Sequence, residues 1–167
     1  VDDFSPSVRA STAEDNWAAI ALTPNLGDTD GSERLSGNAT LSAVPAGWGV
    51  RLGVGNTLSP DANGDYIVAA ANIGSLAVLP PLNSDADASG LTLTVTVAEF
   101  AADGQPIYGQ SITKVATFGV QVTAVADMPI VTQANMPSVT LAAGVPTTVS
   151  AGGVFSLADT DGSERLY

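Results

Sequence analysis

The sequence contains no cysteine and no histidine among its 167 residues. The absence of cysteine excludes the disulfide bonds that stabilise many secreted domains. The absence of histidine removes the commonest general base and the commonest ligand of transition metals. A metal that stabilised this chain would therefore have to be bound through oxygen atoms.

Basic residues are scarce as well. Five Lys and Arg stand against 17 Asp and Glu, which gives a formal net charge of −12 at pH 7. Such a chain lacks the positive surface that binds nucleic acid, and anionic lipid would repel it. No apolar run approaches the roughly 20 residues that span a bilayer. We predict no nucleic-acid partner and no membrane insertion. Because no signal peptide is visible, we expect an internal segment of a longer protein.

The residues that are abundant favour strands and turns. Ala, Val, Leu and Ile supply most of the 45% hydrophobic content, and Thr and Gly are frequent. The clearest strand is 91–97, where Leu and Val alternate with Thr. About seven strands without a long helix predict an all-β, immunoglobulin-like sandwich. The predicted strands are 17–22, 39–44, 50–54, 66–69, 76–79, 91–97 and 112–125, with one helical turn at 70–75.

An eight-residue motif occurs twice. Asp28-Thr29-Asp30-Gly31-Ser32-Glu33-Arg34-Leu35 returns letter for letter from Asp159 to Leu166, an offset of 159 − 28 = 131 residues. A recurrence at this distance indicates a tandem array of modules. Carboxylates at positions i, i+2 and i+5 around a glycine place hard oxygen ligands on a tight turn, as calcium prefers. The alternative is an ordinary polar turn, since Asp, Gly and Ser populate turns in any protein.

Other acids are grouped along the chain, and clustered carboxylates repel one another unless a cation lies between them. With the two copies of the motif, they make up the candidate calcium ligands. The full set is Asp3, Glu14, Asp15, Asp28, Asp30, Glu33, Asp85, Asp87, Asp127, Asp159, Asp161 and Glu164.

The pattern starts again after residue 124. Val125-Ala126-Asp127-Met128-Pro129 parallels Val1-Asp2-Asp3 with Pro6 shortly after, so both stretches look like the same joint between modules. We predict a complete module at 1–124, followed at 125–167 by a calcium-binding joint and the truncated start of the next repeat. Since a sandwich needs about 100 residues, we expect this tail to pack on the first module or to exchange strands with another chain.

The motifs Glu14-Asp15, DTDGSERLS, SAVPAG, PPLNSDADASGLTLTV and VTAVADMP follow one another along the chain. In this order they resemble the cadherin-like and immunoglobulin-like repeats of giant bacterial adhesins exported by type I secretion, the RTX adhesins. The resemblance covers nearly all of residues 12–130. It implies a secreted, cell-surface extender module whose calcium-bound joints stiffen a long stalk, with neighbouring repeats of the same chain as partners.

The order of the acids also resembles that of animal cadherin repeats. The resemblance implies that Glu14, Asp85, Asp87 and Asp127 gather at the far end of the module, where the acids of the next motif copy meet them. It also implies a near end formed by Asp28, Asp30 and Glu33 with Asp3 and a preceding module. The chain departs from cadherins in its SDAD segment, where cadherins carry LDRE, and in the Gly-Ser-Glu that follows its DxD.

The function that we predict is structural, not enzymatic. The alternative is a ligand-binding module near the adhesin tip, which would recognise a carbohydrate or a peptide. Three local patterns have competing explanations. Asp61–Asp65 looks like half of an EF-hand loop or a hairpin turn. Ser111 and Lys114 match an acyl-transfer signature, but in a strand this odd spacing points them oppositely. Trp17 and Trp48 could form a carbohydrate platform or pack in the core.

Overall fold

The computed structural model describes residues 7–23, 25, 30–126, 130–133, 143–144 and 153–156. It is an all-β structure with almost no helix, built from mixed sheets, which confirms the predicted fold class at that level. The chain divides into two compact units, Val1–Ala124 and Val125–Tyr167. In the second unit, β10 and β11 pair as an antiparallel ladder in which Val131 lies opposite Phe155.

The longest strands are β9, β8 and β4, with 18, 13 and 10 residues. The predicted strands 66–69 and 76–79 and the helical turn 70–75 are confirmed at these bounds. The elements are β1 Ser7–Ala13, β2 Ala18–Ala19, β3 Ala21–Thr23, β4 Glu33–Ser42, β5 Gly49–Leu52, β6 Tyr66–Ala69, a 3₁₀ helix Ala70–Ser75, β7 Leu76–Leu79, β8 Ala88–Phe100, β9 Pro106–Thr123, β10 Ile130–Gln133 and β11 Gly153–Ser156.

A six-stranded sheet with the order β3-β1-β9-β8-β4-β6 dominates the first unit. Strand β1 has two partners within this sheet. Its first residues pair antiparallel with β3, and from Ala10 onwards it pairs in parallel with the end of β9. All other ladders of this sheet are antiparallel.

A three-stranded sheet of order β2-β7-β5 forms the rest of the unit. The single strand predicted at 17–22 was wrong, because the chain changes sheets at Ile20. Strand β2 ends at Ala19 in the small sheet, and β3 begins at Ala21 in the large one. At the crossing, the Ile20 N–H donates to the Leu76 carbonyl at 2.9 Å, and the Ile20 side chain is 2% exposed. The backbone therefore stays hydrogen-bonded while the side chain remains in the core.

Both sheets contribute to one hydrophobic core. The alternation predicted for 91–97 is confirmed, since the Leu and Val side chains of this segment are fully buried and its Thr residues are half-buried. Val50 and Val78 of the small sheet belong to the same buried cluster as Leu41 and Phe118 of the large one. Burying this apolar surface at about 25 cal/mol per Å² supplies the main driving force for folding.

The strand directions define two ends of the large sheet. At the upper end, β1 and β9 finish and β8 begins, with Thr12 opposite Val122. At the lower end, β3 and β8 finish and β4 begins, with Glu33 opposite Glu99. Every loop that carries a described candidate ligand can be assigned to one of these ends.

Candidate metal centre

The lower end carries the first copy of the repeated motif. Asp30 accepts a hydrogen bond through Oδ1 from the Ser32 N–H at 2.8 Å, which forms a tight polar turn beside Gly31 at φ +86°. Hydrogen bonding from Ser32 lowers the pKa of the Asp30 carboxyl, so the carboxylate form is favoured. The Ser32 carbonyl accepts from the Phe100 N–H at 3.0 Å, which attaches this turn to the end of β8.

Glu33 follows this turn as the first residue of β4. Its side chain is only 7% exposed, and its register partner on β8 is Glu99, which is half-buried. Like charges directly opposite each other in an antiparallel pair are destabilising. Glu99 was not among the sequence-based candidates. No local pattern marked it, because its partner lies far away along the chain.

The upper end holds Glu14, Asp15, Asp85 and Asp87. Glu14 is 4% exposed, and its N–H donates to the Thr123 carbonyl at 3.0 Å, so the ends of β1 and β9 are joined there. Asp15, at φ +58°, accepts through Oδ1 from the Asn83 N–H at 2.7 Å. These bonds bring the loop before β8 to the end of β1.

Asp87 forms the second attachment of that loop. Its Oδ1 accepts a hydrogen bond from the Val122 N–H of β9 at 2.7 Å. Asp85 is exposed in the same loop. Two segments that are far apart in sequence, at 14–15 and at 85–87, therefore reach the same end of the sheet as the residues leading out of β9.

Part of the predicted ligand set lies outside the described residues, namely Asp3, Asp28, Asp127, Asp159, Asp161 and Glu164. Within the described residues, no three acidic side chains stand close enough together to hold a metal ion. The structure thus brings the described candidates to two ends of one sheet, without a closed ligand shell made from those residues alone.

The remaining patterns have structural explanations. Asp61 Oδ1 accepts from the N–H groups of Asn63 and Asp65 at 2.8 and 3.0 Å, and these bonds lower the pKa of Asp61. The turn is confirmed, but the flanking strands β5 and β6 belong to different sheets, so it does not close a hairpin between them.

The two tryptophans and the Ser–Lys pair also have structural explanations. Trp48 packs partly buried against the core. The Arg51 guanidinium lies over the Trp17 ring, 4.4 Å from its centroid, so this ring is already in contact with a cation. Ser111 is exposed and Lys114 half-buried in β9, three residues apart along the strand.

In the part of the chain that the structure describes, none of the helical segments has the length and apolar character of a membrane span. No protein-family model, no curated protein and no solved structure matches this chain.

Proposed function

We propose that the chain is a calcium-dependent extender module of a secreted bacterial surface adhesin, and that its two sheets form an immunoglobulin- and cadherin-like sandwich. The function is mechanical. Calcium bound by carboxylates at the two ends of the module would cancel their repulsion and stiffen the joints of a tandem array. The repeated DTDGSERL motif supports the array.

The observation that supports the proposal best is that the described candidate ligands lie at opposite ends of one sheet. Asp30 and Glu33 precede or open β4 at the lower end, whereas Glu14 and Asp87 lie where β1 finishes and β8 begins at the upper end. A module that is linked to its neighbours at both ends needs its stiffening ions at those positions.

The chemistry of the available donors fits calcium. Carboxylate and carbonyl oxygens are hard ligands, and without His or Cys the chain has none of the softer ligands that favour zinc or copper. The candidate ligands at the upper end are Glu14, Asp15, Asp85 and Asp87, and those at the lower end are Asp30, Glu33 and Glu99. Calcium would have to draw each set closer together, because neither forms a ligand shell among the described residues.

Each end has one carboxylate that is nearly buried. Glu14 at the upper end is 4% exposed, and Glu33 at the lower end is 7% exposed. At the lower end a divalent ion would lie between Glu33 and its register partner Glu99 and reduce their mutual repulsion. In extracellular modules such sites bind at Kd values of about 10⁻⁴–10⁻³ M, so they fill outside the cell and not in the cytoplasm.

The test is calorimetric titration of the chain with calcium. We expect calcium binding that weakens at least about tenfold in Asp85→Asn and in Glu33→Gln, each of which removes one charge from one end. Asp65→Asn removes a charge from the turn before β6, which is separated from β8 by β4 and lies apart from the proposed ligands. It is the matched control and should bind like the parent chain. Equal binding by all variants, or no calcium binding, would refute the proposal.

A further inference from the structure

Two irregularities in neighbouring ladders open a groove on the large sheet, and among the described residues no acidic side chain lines it. In β4 the register to β8 shifts between Ser36 and Thr40, and Gly37 there has φ +66°. In β9, residues 107–110 bulge opposite Glu99, and Gly109 has φ +77°. Between the two bulges lies a groove of about 580 Å³. This volume falls within the range of small-molecule sites.

The polar groups that line the groove are all neutral. They are the hydroxyls of Ser36, Thr96, Ser111 and Tyr108 and the amide of Asn38. Among the described residues, no charged side chain lines it. The Thr96 hydroxyl lies 2.7 Å from the Thr113 hydroxyl, so it is held in position by a hydrogen bond and can still make another. A groove with hydroxyl and amide groups but no charge favours an uncharged, hydroxyl-rich ligand.

One wall of the groove is aromatic and apolar. Tyr108 is fully exposed at 102%, and its neighbour Ile107 is 42% exposed. Both lie on the bulge of β9, which removes them from the regular ladder. An exposed aromatic ring next to hydrogen-bonding groups is suited to a ligand that has one apolar face and a polar edge. Pyranose sugars have this amphipathic character.

The place of the groove argues against a peptide as its ligand. Peptides that extend a sheet bind along an open strand edge through backbone hydrogen bonds. This groove lies on the face of the sheet, across β4, β8 and β9, where a ligand meets side chains. The neutral lining likewise provides no counter-charge for an anionic or cationic partner.

We propose that this groove binds a neutral carbohydrate. The ring of Tyr108 stacks on the apolar face of one sugar residue, while Asn38, Ser36 and Thr96 hydrogen-bond its hydroxyl groups. The binding function adds to the extender function, because a stalk module with a sugar site can attach along its length. It is independent of calcium at the ends of the module, since the groove has no carboxylate.

The experiment screens the whole chain against an array of neutral, sialylated and sulfated glycans. It then measures the affinity for the best neutral glycan by NMR titration in calcium and in EDTA. We expect neutral glycans alone to bind, with an affinity that is the same in both buffers at a temperature where the chain stays folded. Tyr108→Ala should weaken binding about tenfold or more, and Asn38→Ala severalfold, whereas Tyr108→Phe should retain most of it.

Val115→Ala is the matched control, since Val115 is 60% exposed on the same strand but does not line the groove. Binding confined to charged glycans, binding that Tyr108→Ala and Asn38→Ala leave unchanged, or no binding to any neutral glycan would each overturn the carbohydrate site. None of these results would affect calcium binding, so the two proposals can fail separately. Thermal melts check that Tyr108→Ala and Asn38→Ala are folded.

Discussion

Glu33 and Glu99 lie directly opposite each other at the lower end of the large sheet, one opening β4 and the other near the end of β8. The two residues are 66 positions apart in the sequence (99 − 33). Like charges directly opposite each other destabilise a strand pair. At Glu33, which is 7% exposed, the repulsion is less screened by solvent.

This pair predicts a specific response to charge removal. Glu99→Gln should raise the midpoint of thermal unfolding in EDTA, because the repulsion with Glu33 is relieved. The same variant should gain less from calcium than the parent chain, because a ligand is lost. Asp65→Asn, measured in parallel, should show neither effect. A variant that is destabilised in EDTA and retains the full calcium gain would contradict this role of the pair.

Asp87 combines a structural hydrogen bond with a proposed ligand role, and two substitutions separate them. Asp87→Ala removes the acceptor of the Val122 N–H and should cost about 0.5–1.5 kcal/mol of unfolding free energy even in EDTA. Asp87→Asn retains a carbonyl oxygen as acceptor, so its stability in EDTA should stay near that of the parent chain while its calcium gain falls. Urea unfolding with and without calcium measures both quantities. Equal effects of the two substitutions would refute this separation of roles.

Gly119 in β9 is required by the close approach of a backbone oxygen. A Cβ at this position would lie 3.0 Å from the Ala88 carbonyl oxygen, which is backbone and cannot move aside easily. We expect Gly119→Ala to lower the free energy of unfolding by about 1–3 kcal/mol. Gly74→Ala is the control, since a Cβ there would meet no atom within 4 Å. Chemical denaturation of both variants measures their free energies of unfolding. Equal values would contradict the requirement for glycine at position 119.

The turn at Asp61 predicts a contribution to acid stability. Hydrogen bonds from the N–H groups of Asp65 and Asn63 lower the pKa of Asp61 below its usual value of 3.8. A carboxyl whose pKa is lower in the folded chain than in the unfolded chain stabilises the fold at pH values above its unfolded-state pKa. This contribution is lost as the pH falls through its folded-state pKa. Asp61→Asn should therefore flatten the loss of stability below about pH 4. An unchanged slope in melts between pH 2 and pH 5 would contradict the prediction.

Local pattern predicted much of the first unit. The alternation at 91–97 gave a strand and its buried face, and 66–69 and 76–79 were found at their predicted bounds. Such elements are recognisable because a half-buried strand has a period of 2 in its own sequence. The predicted strand 50–54 was too long. Strand β5 ends at Leu52, Gly53 has φ +67° and Val54 is 96% exposed.

The features that the sequence analysis missed depend on which strands lie next to each other in the sheets. The change of sheet at Ile20 follows from the bond to Leu76, and the opposition of Glu33 and Glu99 follows from the β4–β8 register. The groove beside Tyr108 depends on bulges in two ladders. Register and bulges are properties of strand pairs, so a single sequence contains no local signal for them. The described part of the unit has nine strands where about seven were expected, because the predicted strand 17–22 is divided between two sheets and Ser7–Ala13 forms a further strand.

The central claim is that calcium stabilises this module, and a thermal melt tests it most directly. The chain is heated until it unfolds in three buffers, which contain EDTA, 10 mM calcium or 10 mM magnesium. A site with a Kd of about 10⁻⁴ M would gain about 2.7 kcal/mol in that calcium concentration. At roughly 2–4 °C per kcal/mol for a chain of this size, the midpoint should rise by about 5–10 °C per site. Magnesium should give a much smaller rise. A midpoint that is the same in all three buffers would contradict the account.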